Sequence, residues 1–263
     1  MSIHPTALVS PDAAIEDGAS IGPYCIIDGN VTIGAGTVIH AHVCVRSGTT
    51  IGRDNEIFSF ASIGEIPQDL KFKRDEDTRL VIGDNNTIRE FVTMNRGTTH
   101  GGGVTSVGNR NLFMAYSHLA HDCVVGSGNV FANNAILAGH VTVQDNAILG
   151  GMSAVHQFCT IGEGAMLGGG SIVVQDITPF VIAQGNHARV ITINKIGMQR
   201  RGFSADEISA TKKAFRILFR TTMTKESREA ALEELAASAP PVAKMLQFYR
   251  NSQRGLAHCR NRQ

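Results

Sequence analysis

Five of the ten histidines fall between residues 100 and 156: His100, His118, His121, His140 and His156. One of them, His121, is followed directly by a carboxylate, Asp122. Imidazole is the side chain best suited to move protons at neutral pH, and a neighbouring carboxylate fixes its tautomer and raises its basicity. The same side chains could instead bind zinc, which needs three or four ligands converging at about 2 Å. Of the two chemistries, a neutral imidazole acting as general base is the better fit to a His-Asp pair. The five cysteines (25, 44, 123, 159 and 259) are odd in number, widely spaced and free of any Cys-x-x-Cys pair, which reads as reduced thiols of a cytoplasmic protein.

What must position the histidines is a repeat. Counting by six from Ile3 gives eleven consecutive positions, through Ile63, that are all Ile or Val. The position four further on is small or modest, as at Ala7, Ala13, Ala19, Cys25, Thr37 and Asn55. The register resumes at Ile82, Ile88 and Met94, then runs from Val107 through Leu119, Leu137 and Val155 to Val173. A period of six is neither helical nor a simple strand alternation; it marks a parallel β-helix of hexapeptide repeats, mainly β in class. Each hexad supplies a short strand with its aliphatic and small residues inward, followed by a turn often helped by Gly. Such a rod has little room for the largest side chains, in keeping with the absence of Trp.

A three-sided rod has 18 residues per coil, so Leu119, Leu137 and Val155 lie on one side in successive coils. Measured from those anchors, His118, His121, His140 and His156 avoid the inward slots. All four are expected to project outward, within about 10 Å along the axis. Two interruptions of the register, about 64–81 and 100–106, read as loops projecting from the rod, where binding groups tend to be placed. The first is highly charged, and the second contains His100-Gly101-Gly102-Gly103.

The repeat stops beyond Pro179, which divides the chain into a β-helix over 1–189 and a helical C-terminal domain over 190–263. Ser204-x-x-Glu207 is a capping box opening a helix to about residue 221, and further helices are expected over 225–237 and 240–251. The halves differ in charge. Residues 1–189 carry 10 Lys and Arg against 17 Asp and Glu, whereas 190–263 carry 14 against 6. Lys212, Arg216 and Arg220 form one basic helix face at i, i+4 and i+8. That face suits an anionic partner; charge alone does not choose among nucleic acid, an acidic protein and a phosphorylated ligand. At 43% apolar and 18% charged, the chain is neither disordered nor collagen-like. No apolar run approaches the ~18 residues of a membrane span, and the first residues do not open a signal peptide.

The run Ser117-His118-Leu119-Ala120-His121-Asp122-Cys123, with Leu137-Ala138-Gly139-His140-Val141 and Val155-His156-Gln157-Phe158-Cys159, resembles the cytoplasmic UDP-N-acetylglucosamine acyltransferases of lipid A biosynthesis. Further motifs carry the likeness along the whole chain: Pro67-Gln68-Asp69-Leu70-Lys71, Arg96-Gly97-Thr98, Gln184-Gly185-Asn186 and Arg200-Arg201-Gly202-Phe203-Ser204. The resemblance implies a left-handed β-helix, an exception to the usual right-handed crossover, in a homotrimer with active sites between subunits. It implies transfer of an (R)-3-hydroxyacyl group from acyl carrier protein to the 3-hydroxyl of UDP-N-acetylglucosamine, without cofactor or metal. Nucleic acid and membrane insertion have no part in it. By motif, His121 would be the general base, Asp122 its orienter, and the Gly139 N–H the oxyanion donor. Asp69, Lys71, His118, His140, His156 and Gln157 would hold the sugar and diphosphate, and Asn194, Arg200 and Arg201 the nucleotide end. Gly169 would sit at the floor that measures the acyl chain, and Lys212, Arg216 and Arg220 would receive the acidic carrier protein.

Two residues depart from the family pattern: Asn95 stands where many members have His, and Ile196 where many have Glu. Both bear on the nucleotide contacts and on the acceptor, since some relatives prefer a 3-amino sugar and make an amide. Three rival readings share the rod, one of them a purely structural β-helix, for which changing the histidines would cost nothing beyond stability. A coenzyme A-dependent hexapeptide acetyltransferase would not need the basic helical appendix. A hexapeptide carbonic anhydrase would hold zinc on histidines five apart, whereas His118 and His121 are three apart.

Overall fold

The structure is a computed structural model that describes residues 1–260; the last three residues of the expected helical domain lie outside it. Short strands stack into three parallel sheets, the faces of a triangular rod. The first face starts at Ser2–Ile3, the second at Leu8–Val9 and the third at Ala14–Ile15. Successive coils pair in register every 18 residues, so that Leu119 lies opposite Leu137, Leu137 opposite Val155 and Val155 opposite Val173. The aliphatic of each hexad turns inward, and all four of these side chains are buried. The rod is a left-handed parallel β-helix with a helical C-terminal part.

The two interruptions leave the rod at the same edge. The first spans 66–78, between the second-face strand Ser62–Glu65 and the third-face strand Arg79–Ile82. The second spans 96–103, between Thr93–Asn95 and Val104–Val107. Both are displaced from the bounds expected above, because residues at their ends pair with neighbouring coils and so belong to the sheets: Val104 lies opposite Arg79 and Val107 opposite Ile82. The turns bearing His121, His140 and His156 follow second-face strands too, so they line up along this edge directly beyond the loops.

The rod closes with an antiparallel return. Val181–Gln184 continues the first face and pairs with Arg189–Ile193, which crosses the division expected at 189. The helical part therefore begins at Asn194, the cap of α1 (Lys195–Arg200), a short helix that the sequence pattern does not announce. It continues with α2 (Ala205–Arg220), α3 (Lys225–Ala236) and α4 (Pro240–Asn251). The Ser204 hydroxyl accepts the Glu207 N–H and the Glu207 carboxylate accepts the Ser204 N–H, the reciprocal pair expected of that motif. The buried side of α2 carries Ile208, Ala214, Phe215 and Leu218, leaving Lys212, Arg216 and Arg220 exposed. No helix among the described residues is long and apolar enough to cross a membrane.

Candidate active site

His121 lies in the turn after the strand His118–Leu119, with its side chain 14% exposed. Its Nδ1 is 2.7 Å from Oδ2 of Asp122, whose side chain is 1% exposed. Asp122 can turn inward because its backbone is left-handed, with φ of 58°. Its Oδ1 accepts the Thr98 N–H at 2.8 Å, its Oδ2 accepts the Thr98 hydroxyl at 2.6 Å, and its own N–H donates to Oγ1 of Thr105 at 2.7 Å. In the tautomer that donates its Nδ1–H to Asp122, the ring carries its lone pair on Nε2, and no hydrogen-bond partner occupies Nε2 among the described residues.

Gly139 lies against that ring. A Cβ on it would stand 2.6 Å from Cε1 and 2.8 Å from Nε2 of His121, so only glycine lets the imidazole rest there. His140, one residue on, sets its ring edge-on to His121 at 5.1 Å and stacks on Phe158 at 4.5 Å. Burial pushes the His140 pKa down against the pull of Asp122, with His121 and His100 adding to the lowering. The His118 pKa is lowered by burial and then by His121, while its Nδ1 is 2.7 Å from the Thr93 hydroxyl. Those two histidines are thereby disposed to be neutral at pH 7. His156 and Gln157 are exposed at the far end of the row. The column therefore graduates from half-buried to exposed, where the sequence pattern treated all four histidines as outward.

The loops meet over this row. Asp69, from the first, and His100, from the second, approach to 3.3 Å between Oδ2 and Nε2. The Asp69 carboxyl is held below its usual value chiefly by the Lys71 N–H, which outweighs the opposing effect of burial, with the neighbouring His121 and His100 adding to the lowering. Lys71 is exposed beside it. Asn95 is buried at the foot of the first loop, where Nδ2 donates to the carbonyls of Glu65 and Ile66; it anchors the loop. Thr98 and Thr105 are the residues that sequence reasoning missed. The one available signal was the Arg96-Gly97-Thr98 motif, which says nothing of a carboxylate 24 residues away.

Other residues singled out by sequence lie elsewhere. Asn194, Arg200 and Arg201 line a groove on the first face near Gly164 and Met166, on a different edge of the rod from the histidines. Asn194 is buried as the α1 cap: Oδ1 accepts the Gly197 N–H and Nδ2 donates to the Gly164 carbonyl, each at 3.0 Å. Arg201 is engaged as well, paired with Glu163 and lying over Phe180 and Phe203. Arg200 and Ile196 are exposed in that groove. Gly169 is exposed at the edge between the first and second faces, beside Gly151. Lys212, Arg216 and Arg220 border an open groove with Arg260 and the strand Arg189–Ile193.

The arrangement suits proton abstraction at Nε2 more than metal binding. Ligand atoms of His121, Asp122 and His140 lie within 4.8 Å of one another, but the Asp122 oxygens already accept three hydrogen bonds. Cysteine chemistry is disfavoured too. Burial pushes the Cys123 thiol up to about 12 and the Cys159 thiol up to about 11.

A hexapeptide rod with a carboxylate-backed histidine on its edge belongs to the transferases built on this repeat, and residues 12–47 match the bacterial transferase hexapeptide family. Residues 176–257 match domain 2 of UDP-N-acetylglucosamine O-acyltransferase. Among solved structures, the UDP-N-acetylglucosamine O-acyltransferase of Moraxella catarrhalis is 46% identical, covering 98% of this chain and 100% of its own, with a TM-score of 0.95. LpxA of Acinetobacter baumannii is 44% identical over 97% and 99% with a TM-score of 0.95, and the UDP-N-acetylglucosamine acyltransferase of Francisella novicida is 37% identical over 98% and 95% with a TM-score of 0.96. The chain belongs to the UDP-N-acetylglucosamine O-acyltransferase family and is an O-acyltransferase.

Proposed function

We propose that the protein transfers an (R)-3-hydroxyacyl group from acyl carrier protein to the 3-position of UDP-N-acetylglucosamine, the first step of lipid A biosynthesis, in the cytoplasm. The observation that carries this reading is the free Nε2 of His121, with Nδ1 tied to the buried Asp122. In the proposed reaction Nε2 takes the proton from the sugar 3-hydroxyl as its oxygen attacks the thioester carbonyl. A C–O bond forms, and the tetrahedral oxyanion is stabilised by the Gly139 N–H. The intermediate then collapses, the C–S bond breaks, and the protonated His121 returns its proton to the departing carrier-protein sulfur, which leaves as the thiol and restores the neutral base. A 3-amino acceptor would follow the same course to an amide.

Asp69, Lys71, His118, His140, His156 and Gln157 would bind the sugar and diphosphate along the edge where the loops meet. Arg200 would take the nucleotide end. Asn194 would support it by capping α1, and Arg201 by its pairing with Glu163. Since Arg200 lies on a different edge from His121, one site would draw the two from neighbouring copies, which favours the homotrimer. Gly169 would form the floor of the acyl channel, and Lys212, Arg216 and Arg220 would dock the carrier protein.

The test is acyl transfer by purified protein with UDP-N-acetylglucosamine or its 3-amino analogue and a series of 3-hydroxyacyl carrier proteins. Product from either sugar is expected, and His121→Ala should lose about 10²- to 10⁴-fold of turnover while keeping its fold. No product from any pair, or undiminished turnover by His121→Ala, would overturn the proposal.

A further inference from the structure

The carboxylate behind His121 is gripped by a residue from another coil. Thr98, fully buried at the start of the second loop, gives Asp122 both its N–H, at 2.8 Å, and its hydroxyl, at 2.6 Å. The hydroxyl accepts the Gly101 N–H at 3.1 Å on one lone pair and gives its single proton to the Asp122 carboxylate. The loop lies flat on the carboxylate, since a Cβ on Gly101 would stand 2.2 Å from Oδ2. From outside, the Glu76 carboxylate of the first loop accepts the Thr99 N–H at 2.8 Å and holds the second loop down. Oδ2 thus serves two donors, the Thr98 hydroxyl and the His121 ring.

We propose that Thr98 is a positioning residue for the base: by donating twice to Asp122 it fixes the carboxylate plane and tempers its charge, and so sets the tautomer and proton affinity of His121. The inference rests on the reading of His121 as base. A carboxylate whose charge is stabilised by neutral donors exerts a weaker pull on a neighbouring imidazolium. Removing the hydroxyl strengthens that pull and lets the carboxylate turn. The other charged or titratable groups facing the ring are Asp69, His118 and His140, with His100 beyond. All are unchanged in a Thr98 variant, so a difference from the parent isolates the hydroxyl.

The full-length protein is compared with Thr98→Val, Thr98→Ser and His121→Ala. Thr98→Val should lose about 10- to 100-fold in kcat, as expected for a hydrogen bond to a charged group. The KM for the sugar should be unchanged, and the acidic limb of the kcat/KM profile should move to higher pH. Thr98→Ser should restore both. The His121 ring, titrated by nuclear magnetic resonance without turnover, should move in the same direction. Parental kcat and limb in Thr98→Val would overturn the inference, as would a loss of kcat with the His121 titration unmoved. Should Thr98→Val fail to fold, Thr98→Cys, with its weaker donor, takes its place: the His121 titration should again move to higher pH, and an unmoved titration would again overturn the inference. Undiminished turnover by His121→Ala would instead sink the base assignment, while the titration would still report on Thr98.

Discussion

At the scale of single residues, the proposed chemistry depends on what is missing as much as on what is present. Gly139 is not in the left-handed region, so its backbone does not require glycine; the His121 ring does. The atoms a Cβ would strike belong to the end of that ring, which can swing aside without disturbing the rod. Gly139→Ala should therefore fold with an unchanged melting curve by circular dichroism, yet lose on the order of 10²-fold in kcat, the penalty of a misplaced reacting group. Equal losses of stability and activity would refute that separation. The adjacency of His121 and Asp122 was legible in the sequence because the pair is contiguous. The Thr98 contact was not, because it crosses an insertion that breaks the period. Asn194 and Arg201 stood out by motif, but their partners Gly164 and Glu163 are 30 and 38 residues away, beyond the reach of local spacing.

At the scale of elements, the six-residue period made the rod legible, yet it concealed two columns. Asn55, Asn86, Asn111 and Asn129 occupy inward slots that read only as modest in size, but they form a buried amide ladder. Asn55 Oδ1 accepts the Asn86 N–H and Nδ2–H, Asn86 Oδ1 accepts the same pair from Asn111, and Asn111 Oδ1 accepts the Asn129 N–H. The two insertions separate the first three members by 31 and 25 residues, hiding the ladder from any fixed spacing. Removing the Asn86 rung leaves the buried Asn111 N–H without its acceptor and takes a donor from the Gly108 carbonyl, while Asn55 keeps the backbone N–H of residue 86. Asn86→Ala should cost about 2–4 kcal/mol, checked by denaturant unfolding; a loss below about 0.5 kcal/mol, ordinary for surface changes, would mean water replaces the rung. The second column is exposed. Tyr24, His42, Phe60, Phe91 and Tyr116 stack ring on ring at 4.9–5.1 Å, all from left-handed turn positions that disfavour bulky residues. Stacking, at about 0.5–1.5 kcal/mol a pair, offsets part of that backbone cost, which explains how aromatics stand where Gly or Asn would be expected.

At the scale of the molecule, buried carboxylates of the acidic rod hold the basic helical part: Asp176 accepts the Ser252 hydroxyl and the Arg254 N–H, and Glu163 takes two cations. Glu163, buried in the turn after Thr160–Ile161, pairs with Arg201 beyond α1 and with Lys244 on α4. The clasp holds α1, and with it the exposed Arg200, against the rod. Burial alone would raise the Glu163 pKa, but the hydrogen bonds and charges of Lys244 and Arg201 outweigh it and leave the carboxyl below its usual value of 4.5. A carboxyl whose folded pKa is depressed contributes stability that is present above its unfolded pKa and lost as pH falls through the folded one. Glu163→Gln should therefore be less stable than the parent at pH 7, on the order of 1–3 kcal/mol because Arg201 and Lys244 retain access to water. The gap should narrow below about pH 4.5 and close once Glu163 is protonated in both states. Urea unfolding of parent and variant between pH 3 and 7 checks this. A gap independent of pH would assign the effect to packing of the turn and not to the charge of Glu163.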